Sequence, residues 1–216
     1  MIFLASDHNG NMLGKEICEI WNNLRDVNNS VKEKFGDEAD KTLQNFTKKL
    51  EGEFENYELE KNYEFENMEN LTTKFDPADD YPDIAKLLAH KISSPNQNNS
   101  NKQEKFYELE DKLEQIFVLE NNFGIAICGT GQGICISLNR YKKIRAGVLS
   151  FTSEENLVKS LEIIDLLRLH NNANVLCLSS CISPKIAILL IKKFIQTPFS
   201  KEIRHIRRIQ KLDDLS

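Results

Sequence analysis

The sequence predicts an α/β fold built on a parallel sheet with helices on both faces. Short apolar runs at Ile2 to Ala5, Gly124 to Cys128, Ile144 to Leu149 and Val175 to Leu178 alternate with longer stretches that are apolar at helical spacing. Alternation of this kind buries both faces of a parallel sheet under helices. The second observation is the stretch Gly124 to Ile136, GIAICGTGQGICI, in which an apolar run stops at Cys128 and gives way to Gly129, Gly131 and Gly133. That is the pattern of a buried strand, a tight turn and a helix start.

Composition bounds what such a fold does. A chain of 216 residues suits one domain with insertions better than two small ones. With 40% hydrophobic and 28% charged residues it reads as a soluble globular protein. A net charge of −5 argues against a nucleic-acid partner for the chain as a whole. No segment approaches the about 18 apolar residues of a membrane span. The N-terminus, MIFLASDHNG, has no basic leader and meets Asp7 and His8 almost at once, so the predicted location is cytoplasmic. Five cysteines, at 18, 128, 135, 177 and 181, form no CxxC pair and suit reduced thiols. The four histidines are scattered, and no metal set is assembled.

Taken in order, Ile2 to Ala5 reads as a strand, Ser6 to Gly10 as a loop and Leu13 to Leu24 as an amphipathic helix. From about 27 to 74 the composition shifts to Asn, Glu and Lys with isolated aromatics, which have little to bury, and this segment reads as an insertion. Within it, Tyr57 to Phe65 alternates enough for an edge strand or hairpin. FDPADDYPD is a loop, and Pro82 opens a helix that carries Ile84, Leu87, Leu88 and Ile92. A second polar insertion spans about 93 to 120. It begins with the low-complexity linker Ser93 to Gln103 and includes a predicted helix over Phe106 to Val118. Further helices are predicted at Gly133 to Asn139, Thr152 to Leu169 and Ile182 to Ile195, and the basic tail KEIRHIRRIQK reads as a docked helix or turn.

Candidate chemistry gathers at strand ends. Asp7 and His8 follow the first strand, where ligands collect in open α/β sheets, although an Asp also caps or turns a chain and a His also decorates a surface loop. Cys128 reads either as a buried core thiol or as a thiolate favoured by the helix start beside it. The glycines after it let the backbone approach a ligand, and free N–H groups there suit an anion. No Gly-Lys-Ser/Thr follows, so this is not a P-loop.

Together the segments SDHNG at 6–10, DYPD at 80–83, ICGTGQGI at 127–134, NRYKKIRAG at 139–147, LHNNANVLCL at 169–178 and RHIRR at 204–208 resemble the ribose-5-phosphate isomerase B family, in the family's own order. The family also includes galactose-6-phosphate isomerase subunits. The resemblance covers the predicted core and neither polar insertion. It implies a Rossmann-like three-layer α/β/α sandwich with a mainly parallel five-stranded sheet. It also implies a homodimer or homotetramer with active sites at subunit interfaces, no metal or organic cofactor, and interconversion of ribose 5-phosphate and ribulose 5-phosphate through a cis-enediolate in the pentose phosphate pathway.

Carried over position by position, the resemblance makes Cys128 the carbon-acid base and His170 the ring-opening acid. Thr130 and the backbone of Gly129, Gly131 and Gly133 stabilise the enediolate. Asp7, Tyr81 and Asn171 contact the sugar, and His8, Arg204 and Arg208 hold the phosphate. Arg207 stays a solvated charge, while Cys135 and Cys177 stay core thiols. Cys181 stands where many members carry a phosphate-binding arginine, with Lys185 nearby as a substitute, and the second strand falls inside the first insertion, which predicts an irregular sheet edge. A galactose-6-phosphate isomerase subunit and a catalytically silent sugar-phosphate-binding homologue are the alternatives.

Overall fold

The computed structural model describes residues 1–35, 66–74, 76–94, 122–150 and 152–214. Among them the sheet has five strands, β1 (Ile2–Ser6), β2 (Met68–Asn70), β3 (Phe123–Cys128), β4 (Ala146–Leu149) and β5 (Val175–Ser179). Their order is β2-β1-β3-β5-β4, and every neighbouring pair is parallel. The helices are α1 (Asn11–Phe35), α2 (Tyr81–Ser93), α3 (Gln132–Leu138), α4 (Leu157–Asn171), α5 (Pro184–Gln196) and α6 (Ile203–Asp213), with a 3-10 turn at Glu154–Asn156 leading into α4. No helix among the described residues is long and apolar enough to cross a membrane.

The two-residue period of the strands builds two cores from one sheet. Ile2, Leu4, Ile125, Ile127, Leu176 and Leu178 pack into one apolar layer with α1, α4 and α5. Phe3, Ala5, Ala126, Cys128, Val175 and Cys177 pack into the other with α2 and α3. Both faces are therefore covered, giving the three-layer α/β/α arrangement that the strand-helix alternation predicts.

Helix α1 commits Leu13, Ile17 and Trp21 to the first core, and Trp21 is fully buried. Burial of large apolar side chains of this kind is worth roughly 2–3 kcal/mol each. This helix runs on to Phe35, past the point near residue 27 where the sequence suggested that an insertion begins. It also explains how so short a strand as β2 persists. Asn22 acts as a second strand for it: its amide Nδ2 donates to the Met68 carbonyl at 3.1 Å, and its Oδ1 accepts the Met68 N–H at 3.2 Å. The Trp21 indole N–H donates to the Glu66 carbonyl at 2.9 Å just upstream. With those ties β2 pairs β1 in regular parallel register, so the predicted irregularity of this edge reduces to shortness. The alternating stretch at 57–65 and the predicted helix over 106–118 lie outside the described residues.

Strand β4 begins at Ala146, two residues later than its apolar run. Ile144 closes a turn on the Tyr141 carbonyl, and the Arg145 N–H is taken by the Asn174 side chain at 2.9 Å, so neither is available to the ladder. At Pro82 and Pro184 proline sits in the first helical turn, where no N–H is missed, and the Ser183 hydroxyl accepts the Ile186 N–H at the start of α5.

Gly131 carries the turn between β3 and α3. Its φ is +75°, and a Cβ added there would meet the Leu178 carbonyl carbon at 3.0 Å. Both the left-handed backbone and the close approach to β5 demand glycine. Gly131→Ala is expected to lower unfolding free energy by about 1–3 kcal/mol, read from urea denaturation monitored by circular dichroism.

Candidate active site

Parallel pairing sets Ser6, Ile127 and Leu178 side by side across the sheet, so β1, β3 and β5 all end at one edge. Asp7, His8, Cys128, Gly129 and Thr130 follow from that register, and the Asp7 N–H donates to the Ile127 carbonyl at 3.1 Å to close the loop onto β3. Cys128 is the last residue of β3 and only 5% exposed, on the face covered by α2 and α3. Its burial is what the core reading of this cysteine expects, and its place at the strand end is what the chemical reading expects.

The three glycines of the turn do different work. A Cβ on Gly129 meets nothing within 4 Å, so the backbone there faces open space. Gly131 is the left-handed turn already described. A Cβ on Gly133 would lie 3.0 to 3.2 Å from the Tyr81 ring, so its bare backbone is the seat on which Tyr81 rests. The Thr130 side chain is exposed, and its hydroxyl accepts the Gln132 N–H at 3.4 Å, shaping the turn. Helix α3 has only seven residues, so ligand-directed N–H groups are better sought in the turn than in a helix dipole.

Asp7 is buried, and its Oδ1 accepts the N–H groups of Asn9 and Gly10 at 3.0 and 3.1 Å. One carboxylate oxygen thus builds the loop that presents His8. His8 Nδ1 lies 3.0 Å from the Asp79 carbonyl, which can only accept, so Nδ1 carries a proton. Nε2 then accepts from the Asn9 amide at 2.9 Å while the ring is neutral. The same Asp79 contact ties the SDHNG loop to the segment that leads into Tyr81, and so brings His8 and Tyr81 to the same edge.

The remaining predicted residues lie elsewhere in the chain. His170 and Asn171 end α4, and the chain then enters β5 at Val175, the level of Gly124 at the start of β3. From Val175 to Ser179, the partner of Cys128, is about 13 Å of strand. His170 and Asn171 are therefore at the opposite edge of the sheet from Cys128. Arg204 and Arg208 accompany them, one turn apart and exposed on α6; Arg204 pairs with Glu202 at 2.8 Å. The helix is docked by His205, whose ring stacks on His170 with centroids 4.4 Å apart and whose Nδ1 lies 2.9 Å from the Ser200 hydroxyl. A single chain thus places the predicted site residues in two halves, one at each sheet edge.

Sequence reasoning missed the residues that build the second half. Arg168 is buried between Phe123 and Phe194, 4.9 and 5.5 Å from their ring centres, and donates to the Asn172 side chain and the Thr197 carbonyl. Asn172 adopts the left-handed conformation that ends α4, with φ 45°, and its carbonyl accepts from buried Arg145 at 2.9 Å. Asn174 holds Arg145 and Lys143 through its side chain. Arg168 just before the HNNAN stretch was the available signal, since asparagine tolerates the left-handed region and a buried guanidinium group needs several acceptors, whereas Arg145 lies 25 positions upstream of His170 and carried none. Cys181 is exposed in the turn after β5, its N–H donating to the Ser179 hydroxyl at 3.2 Å. Cys135 and Cys177 are buried core thiols, and burial pushes Cys177 well above the usual thiol range.

Comparison with known proteins bears on both halves. The chain matches the Ribose/Galactose Isomerase family model over residues 97–212, which include Cys128, the glycine turn, His170 and both arginines. It is 34% identical over 141 residues to a Mycoplasma pneumoniae protein named "Probable ribose-5-phosphate isomerase B", covering 65% of this chain and 70% of that one. Among solved structures it is similar to ribose-5-phosphate isomerase B from Mycoplasma genitalium with bound ribulose-5-phosphate, at 30% identity and a TM-score of 0.56, with 99% of this chain and 94% of that chain covered. The Thermotoga maritima ribose 5-phosphate isomerase gives 26% identity and a TM-score of 0.56 over 99% and 97% of the two chains.

The buried His205 that docks α6 carries a pH dependence. Burial lowers its pKa from 6.5, His170, Arg204 and Arg208 push the same way, and Glu202 opposes them. The fold therefore disfavours the imidazolium, whereas the unfolded chain takes up the proton near pH 6.5, so stability is highest above that pH and falls as pH drops below it. Melting temperature is expected to decline between pH 7.5 and 5.5, with a shallower decline in His205→Gln.

Proposed function

The chain belongs to the Ribose/Galactose Isomerase family, and from that premise we propose how its residues interconvert D-ribose 5-phosphate and D-ribulose 5-phosphate. The observation that carries the reading is the thiol of Cys128 at the end of β3, beside an open glycine backbone at Gly129. In the aldose-to-ketose direction the Cys128 thiolate takes the proton from C2, which leaves the C1 oxygen as the anionic oxygen of a cis-enediolate. The C2 hydroxyl proton then passes to the C1 oxygen, and the Cys128 thiol returns its proton to C1, which leaves the ketone at C2 and restores the thiolate. One base on one face of the substrate serves both transfers.

The negative charge that develops on the oxygens needs donors already in place, and the amides of the turn at Gly129 and Thr130 supply them without reorganisation. One such donor is typically worth about 3–4 kcal/mol in the transition state. Asp7 and Tyr81 flank the same edge and contact the sugar hydroxyls. His8 reaches the phosphate through Nε2. With Nδ1–H held by Asp79, that contact is made by the imidazolium, with the Asn9 amide displaced.

Furanose substrates must open first, and His170 donates the proton to the ring oxygen. Asn171 steadies the opened sugar. Arg204 and Arg208 grip the phosphate, and this remote binding energy holds C1 and C2 against the base. Because these four lie at the opposite sheet edge from Cys128, a complete site requires two copies of the chain. Each copy supplies the Cys128 half of one site and the His170 half of another, the reciprocity of a two-fold dimer. Cys181 leaves the edge near Cys128 without the extra arginine of many relatives, so phosphate binding rests on His8, Arg204 and Arg208.

Cys128→Ala is expected to lower kcat by at least about a hundredfold in a coupled assay with ribose 5-phosphate; full activity would remove Cys128 from the role of base. Interface sites are tested by subunit mixing. Cys128→Ala and His170→Ala, each weak alone, are expected to regain up to about a quarter of wild-type turnover when refolded together, since about half of the dimers formed are mixed and each mixed dimer carries one intact site of two. No recovery would place both residues in one chain's site.

A further inference from the structure

We propose that Ser179 is a positioning residue for the isomerisation: its hydroxyl turns the Gly129 peptide so that the Thr130 amide points at the developing enediolate oxygen. The proposal rests on the reading of this sheet edge as the isomerase site. Carbonyls along an extended strand point alternately to its two neighbours. β3 obeys this up to its end, where the Ile127 carbonyl accepts the Asp7 N–H on the β1 side and the Cys128 carbonyl accepts the Ser180 N–H on the β5 side, at 3.1 and 3.0 Å. By alternation the Gly129 carbonyl would face β1. Instead it faces β5, accepting the Ser179 hydroxyl at 2.8 Å and, more distantly, the Ser180 hydroxyl at 3.4 Å.

The consequence falls on the amides. In a trans peptide the N–H opposes the C=O, and the described residues contain no cis bond. The Gly129 N–H therefore opposes the Cys128 carbonyl, and the Thr130 N–H opposes the Gly129 carbonyl, so two consecutive amides both point away from β5. Successive amides on one side make a concavity that holds anionic oxygen. Gly129 has open space where a Cβ would stand, which leaves room for that oxygen.

Ser179 is well placed to enforce this. It is 1% exposed and paired in register with Cys128, so the residue that sets the amide direction stands beside the proposed base. A hydroxyl has one proton to give. The Ser179 oxygen accepts the Cys181 N–H at 3.2 Å, which leaves that proton for Gly129. Without it the Gly129 carbonyl keeps only the distant Ser180 contact, and the peptide is free to rotate, carrying the Thr130 amide out of line.

The test compares Ser179→Ala, Ser179→Cys and Ser180→Ala with the wild type, each checked for its melting temperature. Two readouts are used: kcat and KM for ribose 5-phosphate, and the affinity of a phosphorylated hydroxamate that mimics the enediolate. Ser179→Ala is expected to lose about 10- to 100-fold in kcat and the same factor in hydroxamate affinity, with KM within about twofold. Ser179→Cys keeps the bulk with a weaker donor and is expected to fall between, so it reads the same role if the alanine variant folds poorly. Ser180→Ala is expected to stay near wild type. Undiminished kcat and hydroxamate affinity in both Ser179 variants beside an active wild type would overturn the positioning role alone. A wild-type protein that does not turn over ribose 5-phosphate would overturn the isomerase reading, and the positioning role with it.

Discussion

The parallel register of β1, β3 and β5 is the constraint from which the site follows. Ser6 pairs with Ile127, and Cys128 with Ser179, so three loops leave the sheet at one level. A one-residue slip in β3 would exchange its two faces, sending Ile125 and Ile127 toward α2 and α3 and Cys128 toward α1 and α5. Two dry cores, one on each side, oppose such a slip, because each strand has committed alternate residues to each of them. The position of the thiol is thus set by apolar packing well before any chemistry is asked of it.

Polar groups act where the sheet stops. At the upper edge the Asp7 carboxylate, the Asp79 carbonyl and the Ser179 hydroxyl each fix a loop through one or two hydrogen bonds. At the lower edge the work falls on Arg145 and Arg168, whose guanidinium groups gather carbonyls from residues 143, 172, 173 and 197. These buried cations hold the left-handed Asn172 that ends α4 immediately after His170 and Asn171. Among the buried side-chain nitrogen and oxygen atoms of the described residues, the Asn122 side-chain oxygen is the one without a hydrogen-bond partner.

Much of this was legible in the chain. The apolar runs gave four strands to within two residues, because a strand buried on both faces has a sequence that is apolar throughout. The second strand, Met68–Asn70, was not legible. It has three residues, and its hold on the sheet comes from the Asn22 side chain, which sits 46 positions away in sequence. The continuation of α1 to Phe35 was hidden for a related reason, since its last turns have the polar composition of an insertion. For the site, Cys128 and the three glycines could be found by pattern, whereas Ser179, Arg145 and Arg168 looked like ordinary polar residues beside strands.

What the sequence by itself determined is the set of elements and the chemical types at their ends: strands, turns, a thiol, an Asp-His loop, and a basic helix. Those follow from local periodicity and from residues whose chemistry is intrinsic. Tertiary structure decided which ends meet. Five parallel strands send every βα loop to one edge and every αβ loop to the other, so Cys128 and His170, 42 positions apart in sequence, are separated by the length of the sheet. No local pattern contains that separation, because it arises from the direction in which the strands are laid side by side.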